Sequence, residues 1–440
     1  MLRQGVRGYY MKLNRRDFLK GSAAVSAGTA VDWSLDDVLA KLPRRYANPF
    51  SILQGVTNET SIQLAVGVPT LLKAHYILVD TETSEEFEAK IIKSTAPSYS
   101  DEVVHKMFFS GLTLGRQYLF RVISDSNQIL DEREVQTLDT QKPNARVALL
   151  SCMNDLIGIK IDEMWAAVKA SNPDFICLLG DNVYGDILVL HGPKTLWRRY
   201  VDTRNALPFY HWRKLVPAIA IWDDHDFGKN NVLGNYEHRE NSLAVFNSFY
   251  AQNPVKNFYT RGPGISSTCE LFGHRFIFMD GRYFRRTDLA NREFLGTEQL
   301  NWVEEQVAAA KGPVFFCMGS QFFGKYQPSD NSYEGLGGGN EFERFKKVAA
   351  SANQPILMAS GDVHYSEVQQ VNRAYAGFDG FEITSSCMHS TADSKIDRNG
   401  RRIAGTLQNN FVFLNIDQAG SYQATCFGYQ NERFSVPLQF

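Results

Sequence analysis

The sequence predicts an α/β protein: a layered core of sheets and helices preceded by a small β-sandwich. Three observations carry this. Apolar runs such as "DFICLLGD" recur after residue 145, each ending in polar residues. Helical periods separate several of these runs. Before residue 137 the texture is different, with short alternating segments broken by turn residues. Fully apolar strands alternating with helices belong to a sheet covered on both faces, whereas alternation marks a sheet with one wet face.

The chain has 440 residues, more than one ordinary domain holds. Three segments are expected: a leader over 1–44, a β-sandwich over 45–140 and a larger domain over 141–440. The leader contains "NRRDFLKGSAAVSAGTA", with Arg15-Arg16 ahead of "DFLK" and a weak stretch of small residues. It resembles a twin-arginine export signal, an address read by the export machinery rather than a folded element. An ordinary basic helix is the alternative. With the signal reading, the protein is exported, to the periplasm or to the cell surface and medium.

In the second segment, "SIQLAV", "AHYILVD", "EEFEAKII", "HKMFFSGL" and "QYLFRVI" read as short strands. Their spacing suggests a sandwich of about seven. "TQKPNA", residues 140–145, reads as a linker. In the third segment the strands are "ARVALLSC", "DFICLLGD", "PAIAIWDD", "RFIFMDG", "PVFFCMGS", "PILMASGD" and "FEITSS". Helical periods cover Asp162 to Ser171, Glu237 to Ala251, Thr297 to Ala310 and Glu341 to Ala350. The closing "FVFLNIDQAGSYQATCFGY" reads as a hairpin. Two long connections, Tyr184 to Pro217 and Gln327 to Asn340, are expected to shape substrate choice. "EGLGGGN" in the second reads as a mobile lid.

Composition narrows the functional classes. Hydrophobic residues make up 44% and charged residues 21%, as in globular domains, and net charge is −2. Nothing therefore points to bulk attraction to nucleic acid or anionic membrane. No run of eighteen apolar residues exists, so no transmembrane helix is expected. The six cysteines form no CxxC pair, and no disulfide framework is expected. Cys177 and Cys317 read as core residues.

The polar ends of the apolar runs carry the chemistry. They are Ser151-Cys152, Asp181-Asn182, Asp223-Asp224-His225, Asp280, Ser320-Gln321 and Asp362-Val363-His364. Functional groups in layered α/β sheets gather beyond the carboxyl ends of strands. One aspartate after a strand is equally a helix cap. "WDDHD" is harder to explain that way, because three carboxylates beside one histidine repel each other unless solvated or neutralised by cations. "SGDVHYSE" adds a carboxylate and an imidazole two residues apart, on one side of an extended segment. Several such tails on one sheet edge suggest a polynuclear metal site. Asp181, Asp224 and Asp362 are hard oxygen donors suited to calcium, magnesium, manganese or ferric iron. Only two of nine histidines fall in these motifs, which undersupplies an all-nitrogen dizinc site. Tyr184 offers a phenolate. Cys152 offers a thiolate or is a small buried hydrophobe.

The set "SCMND", "GDNVY", "WDDHDFG", "MDGRYFR", "LGTEQLNWV", "SGDVHYSE" and "ITSSCMHS" resembles the PhoD-like alkaline phosphatases of the metallophosphoesterase superfamily. The resemblance covers roughly residues 145 to 440. It implies the αββα layered core of that superfamily behind an N-terminal sandwich. It also implies hydrolysis of a phosphate ester by metal-activated water, with no side-chain nucleophile. By the same resemblance Cys152, Asp181, Tyr184 and His364 would hold Fe(3+). Asp181 would bridge to a second site, Ca(2+), completed by Asp224 and Asp362, with Asn231 as a weaker candidate. His225 would act with Asp224 at the catalytic centre, as general acid or electrostatic stabiliser near the leaving group. Asn182 would bind substrate. Arg282 would clamp phosphate oxygens, or else form a surface ion pair. Asp223 would orient His225 or support a metal ligand, and His389 would support the ligands from behind. A phosphodiesterase on the same scaffold is the neighbouring expectation. A noncatalytic exported binding protein with a degenerate phosphatase domain is the contrasting one.

Overall fold

The computed structural model describes residues 48–440 apart from 157–158, 187–190, 287–292, 325–334, 337–338, 395, 397–398 and 418–419. The export leader and most of the expected lid lie outside the described residues.

The first part is a sandwich of two four-stranded antiparallel sheets. One runs in the order Ser51–Thr57, Ser61–Pro69, Glu102–Ser110, Lys90–Thr95, and the other Glu86–Glu88, Ala74–Asp80, Gln117–Ser124, Ile129–Gln136. There are thus eight strands where spacing suggested about seven. "EEFEAKII" is two strands, broken at Ala89, whose N–H turns to Tyr76 O at 3.0 Å. The first half pairs with Ile77–Val79 and the second with the Val104–Phe108 stretch of the other sheet. A strand that changes sheets within ten residues leaves no periodic mark of the change. The linker is also shorter than expected, because Asn144 and Ala145 already belong to a strand.

The larger part stacks two sheets face to face. A six-stranded sheet runs Ala218–Ile221, Phe175–Leu179, Asn144–Leu150, Phe411–Asp417, Tyr422–Phe427, Glu432–Leu438. Its first three strands are parallel to one another, and the terminal hairpin joins it antiparallel through Phe411–Asp417. An eight-stranded sheet runs Tyr259–Arg261, Ser267–Leu271, His274–Phe278, Val314–Cys317, Ile356–Ser360, Gly380–Thr384, Ser366–Val371, Arg402–Thr406. Alternation along its central strands explains their continuous apolarity. Phe315 and Cys317 face one core with Leu149, Cys177 and Leu178 of the other sheet. Val314 and Phe316 face a second core with Leu300 and Val303 of the helix Thr297–Ala308 and Phe345 of the helix Gly339–Ala350. Both faces of Val314–Cys317 are dry, and no polar residue interrupts it. The layers are helix, sheet, sheet, helix.

The helices expected from periodicity are present within two residues at each end, including Ile161–Ala170 and Arg239–Phe249. One more, Pro193–Ala206, lies inside the long connection after Tyr184. Its apolar stripe is hidden by arginines that are themselves buried: Arg199 is 0% exposed and Arg204 2%. Arg199 meets Asp155 at 2.5 Å. Arg204 ties the sandwich to the core, donating to Ser51 O at 2.9 Å, Ala65 O at 2.7 Å and Phe249 O at 3.0 Å.

Replacing Arg204 by Met keeps the apolar stem and strands three buried carbonyls. Each unmet buried partner costs about 1–3 kcal/mol. Arg204→Met should therefore lose ~3 kcal/mol or more of stability, read as a lowered urea midpoint. A change below ~0.5 kcal/mol would show that the seam does not depend on this residue.

Candidate metal centre

The parallel strands of both sheets end at one edge, and their polar tails meet there. Asn144–Leu150 delivers Cys152, Phe175–Leu179 delivers Asp181, Ala218–Ile221 delivers Asp223 to His225, and Ile356–Ser360 delivers Asp362 and His364. Cys152 Sγ lies 3.7 Å from Asp181 Oδ2, and Ser386 Oγ lies 3.1 Å from the same sulfur. Three donor groups form, each with ligand atoms within 4.8 Å of one another: Cys152, Asp181 and His364; Asp181, Asp224 and His225; and Asp223, Asp224 and Asp362. Asp181 and Asp224 each belong to two of the groups.

The backbone is bent to make this possible. Cys152, Asp181, Asp362 and His364 have φ of 54, 50, 70 and 56°, the left-handed region that non-glycine residues rarely occupy. The glycines ahead of the two aspartates have a steric reason. A Cβ on Gly180 would come within 2.8 Å of Asp223 Cβ, and one on Gly361 within 2.6 Å of Ser151 Oγ. Neighbouring tails pack against the bare backbone at both places.

"WDDHDF" folds as a one-turn helix, Asp224–Phe227, with a reciprocal capping box between Asp223 and Asp226. Asp226 was given no role from the sequence. Its carboxylate accepts from Asp223 N at 3.0 Å, Asn182 N at 3.2 Å and Val183 N at 3.0 Å. It binds the Asp181 loop to the Asp224 loop from beneath. Asp186 was likewise missed. It accepts from His225 Nδ1 at 2.6 Å and from Asn230 N at 3.1 Å. The imidazole is therefore oriented by Asp186 rather than by Asp223. The only hint in the sequence was a second aspartate in "GDNVYGD".

Other expected residues take unexpected partners. Arg282 is 1% exposed and its Nε donates to Asp223 Oδ1, with Nη2 4.0 Å from Asp224. It is buried and so is not a surface ion pair; Nε is engaged by Asp223, while Nη2 makes no hydrogen bond. Burial of two aspartates beside it draws it inward. Asn182 uses its amide Nδ2 on Ile221 O at 2.7 Å, and its buried Oδ1 has no hydrogen-bond donor. That oxygen suits a cation better than a phosphate. Asn231 gives Asp224 Oδ2 its backbone N–H at 2.6 Å. Tyr184 stacks on His225 with ring centroids 4.2 Å apart, and its hydroxyl meets Ser390 Oγ at 3.1 Å. His389 is fully buried, with Nδ1 3.0 Å from Asn154 O behind Cys152.

The electrostatics are those of a site short of positive charge. Burial, with Asp224, Asp223 and Asp226 around it, pushes the Asp181 carboxyl well up; His225 opposes this. Burial also raises Asp224, but Arg282 and His225 outweigh it and hold that carboxylate ionised. Burial, then the Asp181 charge, drives the Cys152 thiol and the Tyr184 phenol well above their ordinary values. His364 is pushed down by burial and by His225, which keeps it as the neutral imidazole that ligates metals. Asp181 Oδ1 and Asp223 Oδ2 are buried acceptors with no donor. Acidic donors whose ionisation is disfavoured by burial and like charge, beside buried carboxylate oxygens with no donor, fit divalent or trivalent ions that would favour the ionised forms.

Fold and site together define a layered α/β protein built to hold metal ions where two sheets end. The chain belongs to the PhoD-like phosphatase family, whose sequence model matches residues 147–432. It is thus a metal-dependent phosphoesterase acting on phosphate esters. Residues 12–31 match the twin-arginine translocation signal, so the protein is exported through that machinery. No described helix is long and apolar enough to cross a membrane. Among solved structures, the chain is similar to the purple acid phosphatase PPD1 from yellow lupin (Lupinus luteus) seeds. The TM-score is 0.64 at 12% identity, over 88% of this chain and 73% of that one, which shows a shared fold. A pullulanase from Anoxybacillus sp. LM18-11, at a TM-score of 0.14 and 8% identity over 60% of this chain and 58% of that one, carries no argument. Comparison with curated proteins returns no match.

Asp226 supports the centre without being one of its expected donors. Asp226→Asn weakens the acceptor for three N–H groups, a change of about 1–3 kcal/mol. Metal retained after dialysis should fall together with stability. Full metal retention in the variant would mean that the two loops are positioned independently.

Proposed function

We propose that the protein is an exported alkaline phosphatase, acting on phosphate monoesters or diesters, with two metal ions. Cys152, Asp181, Tyr184 and His364 would hold ferric iron, and Asp181, Asp224 and Asp362 would hold calcium. The observation that carries this reading is the sharing of Asp181 between donor groups within 4.8 Å, the arrangement a bridging carboxylate requires. Phenolate and thiolate are anionic donors that lower the net charge of a trivalent ion and favour its oxidised state. A carboxylate at Asp362 makes the second set oxygen-rich, as calcium prefers. When bound, such ions neutralise phosphoryl oxygens and make hydroxide accessible near neutral pH.

The chain's own groups supply the rest. His225 is the catalytic residue proposed to protonate the leaving oxygen. Its side chain is 16% exposed, against 1% and 4% for Asp223 and Asp224. That exposure leaves it the most accessible of the three to an incoming ester. With Nδ1 bonded to Asp186, Nε2 is the nitrogen that meets substrate. The charge of His225 is favoured: burial lowers its pKa, but Asp224, Asp181 and Asp186 raise it well above the ordinary value. Stacking on Tyr184 fixes the plane of the ring. Arg282 offsets the Asp223 charge so that the cluster remains compact. The complete donor set favours catalysis over a degenerate binding role.

Elemental analysis of purified protein should find iron and calcium, with a visible charge-transfer band. Tyr184→Phe should shift or bleach that band and weaken iron retention without unfolding the chain. Stoichiometric metal with no visible absorption would instead favour zinc, manganese or calcium alone, and an unchanged band in the variant would remove Tyr184 from the ligand set.

His225→Ala should lower kcat by about 10²–10⁴ on an alkyl phosphate, the usual scale of general acid–base help. The loss should shrink on an activated aryl phosphate, whose leaving group needs little protonation. Equal losses would reassign His225 to metal or phosphate binding. Running an aryl diester beside the monoester decides between monoesterase and diesterase.

A further inference from the structure

The seam between the sandwich and the core contains a charged cluster that the metal centre does not use. Lys106 lies in the strand Glu102–Ser110 and is 5% exposed. Register places Lys93, on the exposed edge strand Lys90–Thr95, directly opposite it. Like charges facing across a sheet destabilise it, and a buried ammonium is costly unless paired. The helix Arg239–Phe249 packs against the same strand. Arg261 meets that helix, with Nη1 donating to Asn247 Oδ1 at 2.6 Å and Nη2 to Gly264 O at 3.3 Å.

Among the described residues, none of Lys93, Lys106 and Arg261 forms an ion pair with a carboxylate within 4.0 Å. Glu102 shares the Lys106 face but lies four residues along an extended strand, roughly 13 Å away. Its Oε1 is engaged by Asn205 at 2.7 Å. Burial pushes the Lys106 ammonium down to about 8, and Arg261 and Lys93 add to the fall. The other buried cation of the seam, Arg204, makes the contrast. Three carbonyls accept from it, whereas among the described residues Lys106 forms no ion pair with a carboxylate, and Arg261 and Lys93 are the charges that act on it.

We propose that Lys106, Lys93 and Arg261 form an anion site that takes a phosphate group, built from residues other than the metal donors. Three cationic groups offering many N–H donors suit a multiply charged tetrahedral oxyanion with acceptors on every side. The choice of phosphate rests on the phosphoesterase assignment; the uncompensated cluster does not. The phosphate is either free inorganic phosphate, the product of the reaction, or a second phosphate on a polyanionic ester.

The test is calorimetric titration of the full-length, metal-loaded protein with inorganic phosphate. Wild type should bind two phosphates per chain. Lys106→Met should weaken one of them at least tenfold, while kcat and KM for a small aryl phosphate stay unchanged. Lys93→Ala, at an exposed position, should weaken the same site and guards against a folding defect in the first variant. A raised KM for an ester carrying several phosphates, in both variants, would assign the site to a distal phosphate of the substrate. An unchanged KM with phosphate binding lost would assign it to free phosphate. One phosphate per chain in wild type, or an unaltered second site in both variants, would overturn the proposal. Absence of aryl phosphatase activity would count against the phosphoesterase reading alone, because the seam site is titrated separately.

Discussion

Carboxylates held closer than their own charges allow are the constraint on which the rest of this structure depends. Asp181, Asp223, Asp224 and Asp362 sit in overlapping groups within 4.8 Å. Two unit charges at that spacing repel by about 3–4 kcal/mol at an effective dielectric near 20. A few such pairs rival the ~5–15 kcal/mol that holds a domain together. The chain answers with Arg282 on Asp223 and with His225 among Asp224, Asp181 and Asp186, while burial and its neighbours push the Asp181 carboxyl towards its neutral form. Those measures offset only part of the repulsion. The remainder favours the binding of cations, which would relieve it.

The architecture follows from having to hold such a cluster still. The donors here come from separate segments of the chain rather than from one loop. Strands ending at a common edge bring in one or two donors each, from residues as distant as Cys152 and His364. The left-handed backbone at four of them then turns each chain away as soon as its donor is delivered. Such conformations persist only where surrounding packing over-determines them. Two cores on either side of the eight-stranded sheet, and Asp226 beneath the loops, supply that packing. A site with this dependence on long-range order exists only in the folded chain. Export by the twin-arginine route, which carries folded proteins, therefore allows metal to be loaded beforehand.

What could be read from the sequence was what is local. Apolar runs ending in "SC", "GD", "WDDHD" and "SGDVH" are complete within a few residues, and the candidate donors Cys152, Asp181, Asp224 and Asp362 were visible in them. Asp226 and Asp186 were not, because their partners lie about forty residues away and nothing nearby distinguishes them from other aspartates. The helix Pro193–Ala206 was hidden for a related reason. Arg199 and Arg204 read as a polar face, but Asp155 and three carbonyls from elsewhere allow them to be buried. Arg282 shows the converse. The sequence presented a free guanidinium, and only the fold showed that Asp223 engages it.

Reading an aspartate after a strand as either a helix cap or a functional ligand assumes that the two roles compete. Here they coincide in one turn. Asp223 caps the helix Asp224–Phe227, accepts from Arg282 and belongs to a donor group with Asp224 and Asp362. The cap places Asp224 as the first helical residue, so its carboxylate stands at the end where backbone N–H groups are unsatisfied and negative charge is stabilised. One of those groups, His225 N, reaches Asp224 Oδ1 at 2.8 Å. Asp181, by contrast, precedes no helix; its positive φ and the glycine before it serve only to turn the carboxylate into the cluster. Two strand-end aspartates that look alike in sequence thus reach the same site by different local physics. One uses a helix start and the other a sharp reversal of the chain.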